Sequence, residues 1–332
     1  MSNAAKPAVV IVNLGTPDEP TARAVRPYLR EFLSDRRVIE MHPALWRPIL
    51  EGIILRVRPR ASAKKYASVW REEGSPLMHW TRRQRDELQK RLGPDAAVHL
   101  AMRYGEPGLR NVLTELYKQG YRRVVVFPLY PQYAASSAGT VIDEVARWLL
   151  NARDQMEFRT VRSFPESPVY IQALVDAIER EWQRKGRPNF AGGDRLILSF
   201  HSIPRAMHDS GDPYRSECEA TAAALRNLLQ VPGDAVLTCF QSVFGPAKWI
   251  GPATIDTVRR LGSEGTRRVD VICPGFMADC LETLEEINIL NRRTFLEAGG
   301  AEFHYIPWAN DSEGCLSVIE EQSRRAIAGW NQ

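Results

Sequence analysis

Short apolar runs that alternate with helical stretches are the feature that most constrains the fold of this chain. Residues 9–12 (VVIV) form a continuous β-branched run, the pattern of a parallel strand that is buried on both faces. Similar runs follow at residues 98–104, 123–127, 195–200, 235–240 and 269–273. Helical periodicity fills intervals at residues 109–119, 139–151 and 169–185. Strands that alternate with helices of this length predict βαβ units and an α/β fold with an open, mainly parallel sheet.

The chain also carries a weak internal repeat. Residues 120–126 (GYRRVVV) match residues 265–271 (GTRRVDV) at an offset of 145 positions, and in both a helix ends at the glycine before a buried strand begins. The spacing from the first strand of each half to this repeat is 115 residues (9 to 124) and 73 residues (196 to 269). The first half therefore carries about 42 additional residues, and the strand pattern disappears at residues 37–80. Chance similarity between two short strands is the alternative explanation.

The repeat predicts two similar, doubly wound domains that are hinged near residues 164–168. The N-terminal domain is expected over residues 1–165, with residues 37–80 as an inserted lid segment. The C-terminal domain is expected over residues 166–314. A last helix over residues 315–332 could pack on either domain, and packing back on the N-terminal domain is one of the two possibilities.

Composition limits the classes of function. The chain has 44 Lys and Arg against 40 Asp and Glu, a formal charge of +4, with no basic block beside aromatic residues, so we expect no nucleic-acid binding. The longest apolar run, residues 124–131, is far shorter than the ~20 residues that span a bilayer, and the chain does not open on a signal-peptide pattern. Five cysteines without a Cys-x-x-Cys pair fit a reducing compartment. We therefore expect a cytoplasmic protein.

One histidine lies where an open α/β sheet would bind a ligand. Such sheets bind ligands beyond the carboxyl ends of their strands, and His201 follows the buried run at residues 195–200. A neutral imidazole there could accept a proton or bind a metal ion. The alternative is a structural histidine whose ring is hydrogen-bonded to a neighbouring backbone carbonyl. Glycine-rich phosphate loops are missing from the strand ends, which argues against a nucleotide ligand.

An acidic segment follows the last of the predicted strands. Asp279 with Glu282 three residues later resembles a capping box, so a structural role at a helix start explains these two residues equally well. Glu286 would lie one turn beyond Glu282 on the same face of a helix that begins near Cys280. Like charges at this spacing repel, so one carboxylate should be partly protonated unless a cation lies between them. Three carboxylates near a neutral histidine suit a divalent metal, a proton relay, or both.

Residues 44–57 have the periodicity of an amphipathic helix inside the inserted segment. The apolar positions follow helical spacing, and the flanks are basic: Trp46, Ile49, Leu50, Ile53, Ile54, and Arg47, Arg56, Arg58, Arg60, Lys64, Lys65. Three interpretations are open. The helix could pack on its own domain, it could form an apolar lid over a flat ligand, or it could lie against a membrane surface.

Five segments in this order resemble the ferrochelatase family, which inserts iron into protoporphyrin to make haem. They are NLGTP at residues 13–17, GSP at residues 74–76, YPQY at residues 130–133 with Gly139, SFHSIP at residues 199–204 with GDPY at residues 211–214, and the stretch from QS (241–242) through WIGP (249–252) to DCLE (279–282). The resemblance implies two Rossmann-like domains with the active-site cleft between them. It also implies a lyase that releases two protons as Fe²⁺ enters protoporphyrin IX, the last step of haem b biosynthesis.

The resemblance further implies roles for particular residues. His201 and Glu282 would face each other across the cleft as the metal-binding and proton-accepting pair, and Asp279 and Glu286 would extend the acidic row as a proton and metal relay. Five residues match porphyrin-binding positions of the family: Arg58, Tyr66, Ser75, Tyr130 and Arg147.

Two departures from the family pattern affect cofactors. Relatives often have histidine where this chain has Cys280, and relatives with an iron–sulfur cluster have cysteine where it has Ala135. The chain ends at Gln332 with only Cys315 nearby, so we expect no iron–sulfur cluster and no permanently bound cofactor, with Fe²⁺ as a substrate.

The expected partners are protoporphyrin IX and Fe²⁺, with peripheral contact to the inner face of the membrane or to another haem-pathway enzyme. The expected oligomeric state is a monomer or a weak homodimer.

Three rival functions remain at this point. A chelatase for another metal or tetrapyrrole belongs to the same class. A haem or porphyrin carrier needs the histidine but no acidic row, and a periplasmic metal-binding protein needs a signal peptide.

Overall fold

The structure is a computed structural model that describes residues 6–330. The chain forms two compact units. The first comprises Met1–Ser163 together with Ile319–Gln332, and the second comprises Phe164–Val318.

The first unit is built on a four-stranded sheet whose strands are all parallel, in the order β2-β1-β3-β4. Its strands are β1 (Ala8–Gly15), β2 (Ala97–Tyr104), β3 (Arg123–Pro128) and β4 (Glu157–Thr160). Six helices follow the chain order: α1 (Ala22–Ser34), α2 (Pro43–Ile49), α3 (Leu55–Val69), α4 (Pro76–Leu92), α5 (Leu109–Lys118) and α6 (Thr140–Asn151). Residues 8–12 of the central strand β1 are fully buried because helices cover both faces of the sheet.

The inserted segment of the first unit is mainly helical. A π-helical turn, Leu50–Ile54, joins α2 to α3. Trp46, Leu50 and Ile54 pack against the core of this unit, and the indole N–H of Trp46 donates to the Leu33 carbonyl oxygen at 2.6 Å. Ile49 and Ile53, which belong to the same predicted apolar stripe, are exposed. The stripe therefore divides into a packed side and a side that faces solvent.

The second unit repeats this architecture, with four parallel strands in the order β6-β5-β7-β8. Its strands are β5 (Arg195–His201), β6 (Val236–Gln241), β7 (Arg268–Ile272) and β8 (Glu302–Ile306). Its helices are α7 (Pro168–Lys185), α8 (Arg205–Asp209), α9 (Tyr214–Leu229), α10 (Thr254–Ser263), a long π-helix (Glu282–Asn291), α11 (Arg292–Glu297) and the start of α12 (Glu313–Ile327). The prediction of two similar, doubly wound α/β folds is confirmed, and the sequence repeat falls on β3 and β7, which occupy the same position in their sheets.

Two strands were not predicted. β4 and β8 each pair with only one neighbour and lie at the edge of their sheets. All four residues of β4 and three of the five residues of β8 are at least partly exposed, and neither sequence contains a continuous apolar run: β4 reads EFRT and β8 reads EFHYI. The period that identifies a buried parallel strand is therefore missing from both.

The end of the chain packs within the first unit. Arg324 forms an ion pair with Asp95 at 3.0 Å, Arg159 donates to the carbonyl oxygens of Ala326 and Ala328, and the Trp330 indole donates to Glu157 at 2.8 Å. Within residues 6–330, no helix combines the length and the hydropathy needed to cross a bilayer.

Candidate active site

His201 is the last residue of β5, where that strand leaves the sheet. Its β6 neighbour in the register is Gln241, and the Ser202 amide continues the pairing with a 2.8 Å hydrogen bond to the Gln241 carbonyl oxygen. The His201 side chain is half-buried, and its Nδ1 atom lies 2.6 Å from the Ser202 carbonyl oxygen. Because a carbonyl oxygen only accepts, this contact places the ring proton on Nδ1 and leaves a lone pair on Nε2. The hydrogen bond to a neighbouring backbone carbonyl that is expected of a structural histidine is thus present. The same hydrogen bond leaves Nε2 able to accept a proton.

The acidic segment forms a π-helix, Glu282–Asn291, instead of the expected α-helix from Cys280. Long π-helices are rare, and short ones are frequent at functional sites. The wider turn still keeps residues four apart on nearby positions, so Glu282 and Glu286 remain neighbours. This proximity is evident in the electrostatics, since the charge of Glu282 raises the pKa of Glu286.

Glu286 is held by a single residue, Ser242. The Ser242 backbone N–H and hydroxyl donate to the two carboxylate oxygens at 2.6 Å each. Burial raises the pKa of Glu286, while the Ser242 bonds and, when the imidazole is protonated, the charge of His201 lower it, and the net direction is upward from 4.5. His201, Glu282 and Glu286 are therefore in electrostatic contact at one edge of the second sheet.

Gln241 connects the end of β6 to the π-helix. Its amide N–H donates to the Glu282 carbonyl oxygen at 3.0 Å, and its side-chain oxygen accepts from the Ser199 hydroxyl at 2.7 Å. The Cys273 thiol lies 3.6 Å from the same oxygen. Gln241 is buried, so these bonds satisfy its amide and tie the first turn of the π-helix to β5 and β7.

Asp279 is surrounded by donors. One carboxylate oxygen accepts from the hydroxyls of Thr283 and Tyr305, and the other accepts from the Asn310 amide, all at 2.7 Å. The Asp279 backbone N–H donates to the Asn310 side-chain oxygen at 2.7 Å. The capping box of Asp279 with Glu282 does not form. The Asp279 backbone N–H, which the Glu282 side chain would accept, donates to Asn310 instead. The Cys280 backbone N–H donates to the Thr283 hydroxyl oxygen at 3.1 Å.

Cys280, at the position where relatives often have histidine, is a buried thiol. Burial raises its pKa, and the Glu282 carboxylate, to which the thiol is hydrogen-bonded, raises it further. The thiol is therefore protonated at neutral pH and donates to Glu282. In the part of the chain that the structure describes, no group of three or more His, Cys, Asp or Glu side chains is arranged to hold a metal ion.

Ser75, one of the five predicted porphyrin-binding residues, is buried in the first unit. Its hydroxyl oxygen accepts from the Thr16 hydroxyl at 2.8 Å, which joins the NLGTP and GSP motifs. The turn between β1 and this contact requires glycine at position 15, because Gly15 has φ +114° and an added Cβ would lie 1.8 Å from the Tyr104 carbonyl oxygen. The two motifs are therefore parts of one local arrangement.

Arg58 and Tyr66 both lie on α3. Burial lowers the pKa of the Arg58 guanidinium, and Tyr66 partly offsets this effect. The Tyr66 ring packs edge-on against Tyr28 and Trp70. The structure thus brings these two predicted residues within electrostatic range of each other, on the inserted segment.

Tyr130 and Arg147 lie on other elements of the first unit. Tyr130 follows β3 and packs, partly buried, against the core of the unit. Arg147 is an exposed residue of α6 that pairs with Glu144 and lines a cavity of about 550 Å³ together with Asp35 and Arg103. Asp35 and Arg103 form a buried ion pair there, to which Thr140 and Tyr104 are hydrogen-bonded.

Several residues that shape the site were not singled out from the sequence. Gln241 and Ser242 belong to one of the family motifs, but the sequence indicated no function for them. No sequence pattern pointed to Tyr305 or Asn310. Tyr305 lies in β8, an edge strand that was not predicted, so its position beside Asp279 could not be inferred.

Two solved structures from Bacillus subtilis share the fold of this chain. SirB with Fe³⁺ superposes with a TM-score of 0.55 at 13% identity, covering 97% of this chain and 96% of that chain. The sirohydrochlorin chelatase SirB of the subspecies spizizenii, in complex with cobalt, has a TM-score of 0.56 at 13% identity, with 98% of both chains covered. The class that the fold defines is thus an α/β protein with two four-stranded parallel sheets.

The family follows from sequence similarity. The model of the ferrochelatase family matches residues 6–327. The ferrochelatase of Dechloromonas aromatica (strain RCB) is 48% identical over 332 residues, covering 99% of this chain and 90% of the relative. That of Neisseria meningitidis serogroup C is 48% identical over 323 residues, covering 97% and 94%. The chain belongs to the ferrochelatase family. It is an enzyme that inserts iron into porphyrin in the final step of haem biosynthesis.

Proposed function

We propose that this chain inserts Fe²⁺ into protoporphyrin IX with His201 and Glu282 as the metal-binding and proton-accepting pair and Glu286 and Asp279 as the relay. One observation carries the proposal: His201 and Gln241 are paired at the carboxyl edge of the second sheet, and Gln241 and the next residue, Ser242, are hydrogen-bonded to Glu282 and Glu286. In such sheets this edge is where ligands bind.

The chemistry needs groups of this kind. A free-base porphyrin loses two N–H protons as the dication enters, so the enzyme must supply a neutral base and carboxylates that carry protons away. The Nε2 lone pair of His201 suits the first task. Glu286 suits the second, since burial raises its pKa above that of an ordinary carboxyl. Few N and O ligands hold Fe²⁺ weakly enough for it to be passed on.

On the porphyrin side, we assign the macrocycle to Arg58, Tyr66, Ser75, Tyr130 and Arg147. A guanidinium is the natural partner of a propionate, because the two form paired charge-assisted hydrogen bonds. Arg58 is favoured for this role, since burial lowers its pKa and a bound carboxylate would offset that cost. Tyr66 and Tyr130 offer aromatic surface to a flat ring.

Anaerobic insertion assays test the assignment. Wild-type protein is given Fe²⁺, Zn²⁺ or Co²⁺ with protoporphyrin or coproporphyrin, and loss of the free-base absorption bands is followed. We expect Glu282→Gln to lose at least about a hundredfold in kcat, whereas Glu285→Gln, the same change in the same π-helix, stays near wild type. Equal activity of the two variants would contradict the role of Glu282. Faster turnover with coproporphyrin would contradict the choice of porphyrin.

We also propose that the chain works in the cytoplasm at the surface of an anionic membrane. Four apolar residues one turn apart in the inserted segment face solvent: Leu45 (67% exposed), Ile49 (37%), Ile53 (59%) and Val57 (69%). Exposed Arg47, Arg56 and Arg60 flank them. An apolar stripe with basic flanks is typical of a helix that lies in the interface of an anionic bilayer.

Vesicle sedimentation tests the membrane proposal. Wild-type protein should bind phosphatidylglycerol vesicles more tightly than phosphatidylcholine vesicles, and salt should weaken the binding. The double variant Leu45→Ser/Val57→Ser should bind at least about tenfold more weakly. Leu150→Ser, a change at an isolated leucine that is 84% exposed, serves as the control. Normal vesicle binding with a raised KM for porphyrin would instead assign the stripe to a lid over the substrate.

We further propose that the protein has no iron–sulfur cluster or other permanently bound cofactor. We also propose that it is a monomer or a weak homodimer. In support, the side chains of all five cysteines are buried. Metal analysis of the purified protein tests for a cluster, and stoichiometric iron with acid-labile sulfide would contradict its absence. Sedimentation velocity measures the oligomeric state.

A further inference from the structure

Three residues other than glycine have left-handed backbone conformations among residues 6–330. They are Gln230 (φ 51°), Ser242 (φ 67°) and Asn310 (φ 67°). Side chains strain the backbone in this region, and such strain tends to be retained where it serves a function. Gln230 caps the end of α9, an ordinary place for the conformation. Ser242 and Asn310 instead lie in loops after strands of the second sheet, and each is hydrogen-bonded to a carboxylate of the acidic segment.

Ser242 directs both of its donors at one group. Its backbone N–H and its hydroxyl reach Oε1 and Oε2 of Glu286 at 2.6 Å. A residue that gives two short hydrogen bonds to both oxygens of a carboxylate fixes the position and the rotation of that carboxylate. Glu286 therefore has little freedom relative to the end of β6.

Asn310 does the same for Asp279 by a reciprocal pair. The Asn310 amide donates to Oδ2 of Asp279 at 2.7 Å, and the Asp279 backbone N–H donates to the Asn310 oxygen at 2.7 Å. The carboxylate is held at Oδ1 by Thr283 and Tyr305 as well. Both ends of the acidic row are thus fixed from outside the π-helix.

Glu282 lies between these two fixed carboxylates and is held differently. Gln241 holds its main-chain carbonyl at 3.0 Å, while its carboxylate contacts the Cys280 thiol, a weak donor. We propose that Ser242 and Asn310 are positioning residues of the insertion reaction. They hold Glu286 and Asp279 still, so that the Glu282 carboxylate is the one that turns between the incoming Fe²⁺ and its neighbours. The inference rests on the proposed function of the acidic row.

The test separates the hydroxyl of Ser242 from the strain of its backbone. Ser242→Ala and Ser242→Gly both remove the hydroxyl, and only glycine removes the strain. We expect both variants to lose about ten- to a hundredfold in kcat, with the KM for porphyrin unchanged within about twofold. Thermal unfolding should rank the two apart, with the glycine variant the more stable.

Gln230→Gly is the matched control. It relieves the same kind of strain at the end of α9 and should raise thermal stability without any change in kcat. Asn310→Gly provides the second arm, and it should lower kcat although it also relieves strain.

Two results overturn the inference alone: wild-type kcat in both Ser242 variants, or recovery of kcat in the glycine variant but not in the alanine variant. The second result would mean that stability, and not the hydroxyl, sets the rate. Full activity of Glu282→Gln would overturn the proposed site and this inference with it.

Discussion

The Nδ1 atom of His201 lies 2.6 Å from the carbonyl oxygen of Ser202, the next residue in the chain. The Ser202 backbone N–H in turn donates to the Gln241 carbonyl oxygen at 2.8 Å, so the pairing of β5 with β6 helps to set this contact. It selects one tautomer of the ring at the end of β5, so that Nε2 is the nitrogen that can accept a proton or bind iron.

Replacing His201 should abolish insertion without abolishing porphyrin binding. We expect His201→Ala to lower kcat by about a hundred- to ten-thousandfold, the range for loss of a general base. Quenching of porphyrin fluorescence should give a Kd close to that of the wild type. His304→Ala, a change at a half-buried histidine of β8, is the control and should remain active. Near-normal turnover of His201→Ala would refute the proposed role.

Glu286 should make stability depend on pH. Its pKa is raised in the folded protein, mainly by burial, so the folded state binds the proton more tightly than the unfolded state, whose pKa is near 4.5. The resulting stabilisation is complete below pH 4.5 and is lost as pH rises through the folded pKa. The free energy of unfolding of the wild type should therefore fall, relative to Glu286→Gln, as the pH rises above 4.5 and through the folded pKa. Urea unfolding of both proteins measures this difference.

The matched comparison for that experiment is Glu285→Gln, which removes a charge one residue away. It shows how far the loss of one charge from this π-helix changes the pH dependence by itself. A difference between Glu286→Gln and the wild type that does not change with pH would contradict a raised pKa of Glu286.

Asp279→Asn should destabilise the second unit. Three donors converge on the Asp279 carboxylate, and an amide nitrogen in place of one oxygen would face a donor and leave it unsatisfied. We expect a loss of about 2–4 kcal/mol in the free energy of unfolding. Asp256→Asn on α10 is the control, because that carboxylate is 72% exposed and pairs only with Arg259, so the change should stay within about 1 kcal/mol. Equal losses in the two variants would refute this account.

Two glycines of the first unit should respond differently to alanine. Gly15 and Gly74 both have a left-handed φ, of +114° and +102°. A Cβ at Gly15 would lie 1.8 Å from the Tyr104 carbonyl oxygen, whereas the space around Gly74 is open. We expect Gly74→Ala to cost about 1–2 kcal/mol from backbone strain alone. Gly15→Ala should cost at least about 3 kcal/mol, because β1 and β2 must move apart. Chemical unfolding and soluble yield distinguish the two.

The fold class could be predicted because each buried parallel strand has a continuous apolar run in its local sequence. β1, β3 and β5 each contain the apolar run that is typical of a strand buried on both faces, and the carboxyl end of β5 locates His201. The same reasoning missed β4 and β8, since most of their residues are partly exposed and neither strand contains such a run. It also predicted an ordinary helix from about Cys280 where the structure has a π-helix, because spacing alone does not distinguish i→i+4 from i→i+5 hydrogen bonding.

The sequence by itself determined which residues could do chemistry and on which strand ends they lie. The tertiary structure decided how they are held. Ser242 and Glu286 are 44 positions apart, and Asn310 and Asp279 are 31 apart. Whether such residues meet depends on the register of β5 to β8 and on the backbone conformation of single loop residues. No local pattern encodes these properties, because they result from packing the whole unit.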